Sequence, residues 1–433
     1  MKPARVLLVV VLVLAAVMAV GQQPARAAAF SYTTGFQVQN LSPTNDASVT
    51  ITYYDSSGNG TPVSDTIPKG GSKTYFGNVP VPEGFDGSVV ISSDQQVAAV
   101  VNILGNGGAA GASYVGTTQG ATTLMLPLLM KGNSGYNTWF KVQNAGSADA
   151  TITVQYSDGT TNSASGVKPN SSARFDQSQE NHSAKVFSAI VTSTQPLAAA
   201  VIEESSTVMF AYSGFTSGCT NPVLPLINAN NAGWVTGVQI QNVGSSDTTV
   251  TLSYVPSLAG TATDETQTIP AGQSRTFALA KFANGPKFIG SASVTANSAN
   301  QPLVAMVNQL RGTSAGEAYG GFDPSQATSS VVLPLIMDRN SGYYTGFSVT
   351  NVGSAATSVN CTFTNTSYTA SNPSLGPGQS LTVLQNGAVA NKYVGSGTCT
   401  AGAGGKLVAV VNELGSNSTQ DQFLVYEGIS VSP

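Results

Sequence analysis

Apolar and polar residues alternate along short stretches of this chain, and one such stretch occurs four times. In Thr34-Gly35-Phe36-Gln37-Val38-Gln39-Asn40, Phe36 and Val38 fall on one side while Gln37 and Gln39 fall on the other. That period of two predicts a half-buried strand. The stretch returns as Thr138-Trp139-Phe140-Lys141-Val142-Gln143-Asn144, Thr236-Gly237-Val238-Gln239-Ile240-Gln241-Asn242 and Thr345-Gly346-Phe347-Ser348-Val349-Thr350-Asn351. The closing asparagines are 104, 98 and 109 residues apart, a spacing of domain size that predicts four copies of one unit.

The same signals follow in each copy. A Gly/Asn turn such as Asn144-Ala145-Gly146-Ser147 accepts positive φ; the first copy has the longer Asn40-Leu41-Ser42-Pro43-Thr44-Asn45. A second alternating strand ends at Tyr53, Tyr156, Tyr254 or Phe363. Next come a proline turn (Pro68, Pro169, Pro270, Pro377) and an apolar residue at Tyr75, Phe175, Phe277 or Val383. Two strands in quick succession follow, the second nearly all apolar, as in Val97-Ala98-Ala99-Val100-Val101. Each copy closes on Tyr-x-Gly at Tyr114, Tyr212, Tyr319 and Tyr426.

Five to seven short strands in about 100 residues predict an antiparallel β-sandwich. The expected class is all-β, with four tandem immunoglobulin-like β-sandwich domains over residues 30–120, 121–218, 219–327 and 328–433. No segment beyond the N-terminal run holds a helical apolar period. The order of asparagine turn, Pro-Gly-x-Ser turn and apolar residue resembles the immunoglobulin-like repeats of bacterial secreted and cell-surface proteins. The Leu-Pro-Leu and Val-Gln-Asn segments are similar to tandem modules of Chloroflexota-type filamentous bacteria. This resemblance covers residues 30–433 and implies a fold, not an activity.

Copies two to four are preceded by Leu124-Met125-Leu126-Pro127-Leu128-Leu129, Val223-Leu224-Pro225-Leu226-Ile227 and Val331-Val332-Leu333-Pro334-Leu335-Ile336. Proline places these at an edge or a bulge. Three such strands serve four domains, so one terminal domain is expected to be a strand short. Its edge is either open to another chain or covered by local residues.

The chain starts with Lys2 and Arg5, an apolar run Val6–Val20, and small residues up to Ala29. This is the pattern of a secretory signal over residues 1–29. A retained membrane anchor is the alternative, but the run is short for a span. Charged residues make up only 9% of the chain, against roughly a quarter in ordinary domains. Without residues 1–29 it carries 14 basic and 21 acidic side chains, which argues against nucleic acid or anionic lipid as partner. Secretion to the cell surface or medium is expected, with no membrane insertion after cleavage.

The candidate chemistry is sparse. Cys361 and Cys399 replace apolar core residues of other copies at matched strand positions, and a disulfide between them is expected; two buried thiols are the alternative. Cys219 lacks an evident partner. His182 is the single histidine, and with no nucleophile elbow near it reads as a solvated loop residue. Asp55-Ser56-Ser57-Gly58-Asn59-Gly60 lacks the alternating acids of a calcium loop and reads as a hairpin turn. Tyr32, Tyr136, Trp234 and Tyr343 each stand two residues before the repeated threonine. They are candidates for stacking on sugar rings or, preferably, for packing domain junctions. No catalytic, cofactor or metal site is expected. The reading is a secreted structural or cell-surface protein contributing to an envelope layer, sheath or filament, by self-association or with other envelope components. The alternative is an adhesin or carbohydrate-binding protein with glycan partners.

Overall fold

The computed structural model describes residues 30–77, 79–297, 301–416 and 420–431, together with the backbone of Leu7–Val11. The expected signal over residues 1–29 otherwise lies outside the described residues.

Repeat 1 sets the plan. Its strands are β1 (Leu7–Val11), β2 (Tyr32–Asn40), β3 (Ala47–Tyr54), β4 (Gly60–Ile67), β5 (Ser72–Tyr75), β6 (Ser88–Ser93), β7 (Val97–Gly105) and β8 (Ala110–Val115). They form two antiparallel sheets, in the orders β1-β6-β3-β4 and β5-β2-β7-β8. The alternating apolar residues close one core between them: Phe36, Val38, Val49, Ile51, Ile91, Ala99 and Val101 are all buried. The chain thus carries tandem antiparallel β-sandwiches along its sequence. In repeat 2 the single strand Val186–Glu204 takes the places of both β6 and β7, pairing first with Ala150–Tyr156 and then with Asn137–Asn144. Repeat 4 adds Ile429–Val431 beside its first strand. Among the described residues, no helix is long and apolar enough to cross a membrane.

The Leu-Pro-Leu segments open the repeat that follows them. Ala121–Met130 pairs with the first half of Val186–Glu204, Val223–Ala229 with Phe288–Ala296, and Ser330–Asp338 with Tyr393–Ala401. Each pairing shifts register around its proline, which has no N–H to give the ladder. In repeat 1 this place is not left empty: the backbone of β1 runs antiparallel along β6.

The four repeats do not stand as four equal bodies. The chain divides into two compact units, Met1–Thr216 and Ser217–Pro433, each with two repeats. The core of repeat 1 continues without a break into Trp139, Ala200, Ile202, Met209 and Ala211 of repeat 2. The core of repeat 3 continues likewise into Val410, Phe423 and Val425 of repeat 4.

Candidate functional site

The residues that recur are used to hold the backbone. Asn144 lies buried at the end of its strand. Its amide Nδ2 donates to the carbonyls of Ala148 (2.7 Å) and Val167 (2.9 Å), and its Oδ1 accepts from the N–H of Gly146 (2.9 Å). Asn40, Asn242 and Asn351 make the same three bonds in their own repeats. The asparagine closes the turn and ties it to the end of the β4-type strand, so every polar atom it buries is satisfied.

The repeated threonine and the closing tyrosine both grip the first strand. The hydroxyl of Thr236 accepts from Asn228 N–H (3.0 Å) and donates to Asn228 C=O (2.8 Å). Thr345 does the same at Met337, and Thr138 accepts from Met130. Tyr319 Oη accepts from Leu226 N–H (3.1 Å) and donates to Leu226 C=O (2.6 Å). Tyr426 serves Leu335 in the same way, and Tyr212 donates to Leu128. Each tyrosine therefore acts on the residue after the proline, where the bulge takes backbone groups out of the ladder. Tyr212 and Tyr426 are pushed far above the usual phenol range by burial, reinforced by Glu203 and Glu413 respectively, so they remain neutral donors.

The glutamines of the repeated strand are not on a solvated face, contrary to the alternating pattern. Gln37 and Gln39 are buried, as are Gln239 and Gln241. Side chains on the adjacent strand meet two of these glutamines: Gln239 Nε2 donates to Ser274 Oγ (2.8 Å) and its Oε1 accepts from Thr276 Oγ1 (2.6 Å). Gln37 meets Ser72 and Thr74 in the same manner.

Two of the four repeated aromatics lie across a junction. Tyr32 packs edge-on to Trp139 of repeat 2 at 5.8 Å, and its hydroxyl donates to Glu204, which also accepts from Trp139 Nε1 at 3.1 Å. Trp234 packs against Phe423 of repeat 4 at 4.4 Å. Tyr136, by contrast, meets Phe210 of its own repeat. Tyr343 is half-buried, and burial together with Glu413 and Asp421 pushes its phenol up to about 12. The two junctions share further contacts. Ser88 donates to the Asn170 carbonyl on repeat 2, as Ser291 does to the Gly378 carbonyl on repeat 4. One feature belongs to the first pair alone: buried Lys141 pairs with Asp86 of repeat 1. Burial holds the Lys141 ammonium below its usual pKa despite that partner.

Cys361 and Cys399 are joined by a disulfide. They face each other directly on Thr357–Phe363 and Tyr393–Ala401, with Cα atoms 3.9 Å apart. Cys219 is a free thiol, half-exposed, and its backbone bridges to Leu303. Burial pushes its thiol up to about 11, away from thiolate reactivity. Asp55 caps a turn, accepting from the N–H groups of Ser57 (2.8 Å) and Asn59 (2.9 Å).

His182 is not solvated. Its side chain is 0% exposed, stacked on Phe187 at 4.1 Å and edge-on to Tyr156 at 4.7 Å, with Nδ1 3.0 Å from Asp158 Oδ2. It fills the space beside Tyr156 that Phe282 fills beside Tyr254 (4.9 Å) and Tyr368 beside Phe363 (5.4 Å). In repeat 1, Phe85 stands farther from Tyr53, at 6.4 Å. A cavity of about 340 Å³ remains there, lined by Ile51, Tyr53, Val63, Tyr75, Val79 and Pro80. Tyr75 donates to Asp65 (3.0 Å), which also pairs with Lys73 (2.6 Å). Among the described residues no three His, Cys, Asp or Glu side chains converge as metal ligands would.

No family model and no curated protein matches the chain. Among solved structures it is similar, over 99% of both chains, to a tetra-tandem repeat in the extending region of a large adhesion protein. The identity is 13% and the TM-score 0.12. A likeness at that level carries no argument about this chain, whose reading rests on its own residues.

Proposed function

We propose that the chain is an extracellular structural protein, a four-repeat scaffold that contributes to a cell-envelope layer, sheath or filament. The observation that carries this reading is the use made of the recurring residues. Asparagine, threonine and tyrosine fasten strands, and the core is continuous within each pair of repeats, 1 with 2 and 3 with 4. The aspartates that recur before the second strand also serve the backbone: Asp46 accepts from Lys69 N–H and Asp247 from Ala271 N–H. In this reading the chain performs no catalysis and needs no cofactor. The intrachain disulfide fits an oxidising compartment, and the acidic balance fits partners other than nucleic acid. Immunogold electron microscopy of native cells tests the proposal. Label in a regular surface layer or filament is expected; label confined to the cytoplasm would refute it.

The cavity of repeat 1 favours a second reading, an adhesin or carbohydrate-binding protein. Two tyrosine rings with a nearby carboxylate suit a sugar ring. Retention on a glycan array, lost in Tyr75→Ala, supports it; no retention on any glycan removes it.

A further inference from the structure

We propose that the outer side of β6 in repeat 1 is a strand-acceptor site, and that Leu7–Val11 is its occupant within the same chain. The register carries the argument. Val9 lies opposite Ile91, as Leu124 lies opposite Val191 in repeat 2 and Val331 opposite Cys399 in repeat 4. Those partners are equivalent, because Ile91, Val191 and Cys399 each face the core residue of the next strand, Ile51, Val154 and Cys361. The segment thus pairs where a Leu-Pro-Leu strand pairs elsewhere, in the same direction and at the same step.

The gripping residues are also in place. Thr34 and Tyr114 occupy the positions from which Thr236 and Tyr319 hold the first strand of repeat 3. Among the described residues of 30–120, no other strand pairs with that side of β6. The occupant's chemistry follows from its sequence: Leu7-Leu8-Val9-Val10-Val11 is wholly apolar and rich in β-branched residues, suited to a strand buried on both faces. Where residues 1–29 serve as an export leader, its removal uncovers an acceptor for a strand of this chemistry.

Two measurements on the full chain in a Cys219→Ser background test the site, and neither depends on where the protein resides in the cell. Val10 and Val90 are opposed in the register. The pair Val10→Cys with Val90→Cys should oxidise to a disulfide at least about ten-fold more than Val9→Cys with Val90→Cys, one step out of register. Equal yields would overturn the proposal. Hydrogen exchange at β6 is then compared before and after cleavage at a protease site inserted behind Ala29, with Phe288–Ala296 as internal reference. Exchange at β6 alone should quicken at least about ten-fold, and a synthetic peptide of residues 5–13 should restore protection. Protection that survives cleavage but is lost on dilution also supports the acceptor, now filled by a second copy. Protection unchanged at every concentration sinks it.

Discussion

At the scale of single residues, the chain spends its repeated side chains on backbone groups that strand pairing leaves over. Asn242→Ala removes donors to Ser246 and Ile269 and an acceptor for Gly244. The expected cost is about 2–3 kcal/mol, the upper part of the range of about 1–3 kcal/mol for buried groups left unsatisfied, since three bonds are lost, read as a lower urea midpoint. Tyr319→Phe keeps the ring but abandons both groups of Leu226, at a cost of about 1–3 kcal/mol. Asp338 supplies a pH dependence. Burial raises its pKa, but donors from Gly387, Val389 and Arg339 outweigh that, holding the carboxyl below the usual value. The unfolded chain therefore takes up its proton first as pH falls below about 4. The contribution of Asp338 is present above that pH and lost as pH drops through the native value. Denaturation midpoints measured from pH 5 to pH 2 should fall less steeply in Asp338→Asn than in the parent. The clamp roles were hidden in the sequence. An asparagine that ends a strand reads as a turn residue, and nothing in Tyr-x-Gly says that its hydroxyl reaches a proline bulge 84 to 93 residues away.

At the scale of elements, alternation located the strands well because each sandwich has one dry interior. It failed where a second surface is also buried, as at Gln37 and Gln39. It gave no guidance at His182, whose loop differs too much in sequence from those of its spatial counterparts Phe282 and Tyr368 to be matched with them. Matched strand positions, by contrast, were enough to pair Cys361 with Cys399, since both replace core residues at directly opposed sites. Reducing that bond should lower the stability of repeat 4 by about 3–4 kcal/mol, given the 38-residue separation. Calorimetry with and without reductant measures this directly. The half of Met1–Thr216 and Ser217–Pro433 that should respond is the second.

At the scale of the whole molecule, the sequence period is one repeat and the structural period is two. The signal was present in the last strand of each copy. On the faces that enter the shared cores, the odd copies carry small residues in the strand that ends on Tyr-x-Gly, Ala110, Ala112 and Ala315, while the even copies carry Met209 and Phe423 at the step of Gly111 and Gly316. Small residues let a neighbour approach and large ones fill the gap, so the difference marks complementary surfaces. Four aligned motifs draw attention to what the copies share, and this pairing lies in what they do not share. Trp234→Ala should cost about 3–5 kcal/mol and should split the joint unfolding of repeats 3 and 4 into two transitions in differential scanning calorimetry. A variant that still melts in one step would show that Trp234 does not couple them.

The cross-strand disulfide has a consequence under tension. The strands it joins flank residues 362–398, so a chain pulled from its two ends cannot pay that segment out while the bond is intact. At about 3.4 Å per extended residue this withholds about 130 Å of slack. When stretched in an optical trap, repeat 4 should lengthen by that much less than its neighbours, and reductant should restore the difference. Oxidation thus limits how far the last repeat can stretch.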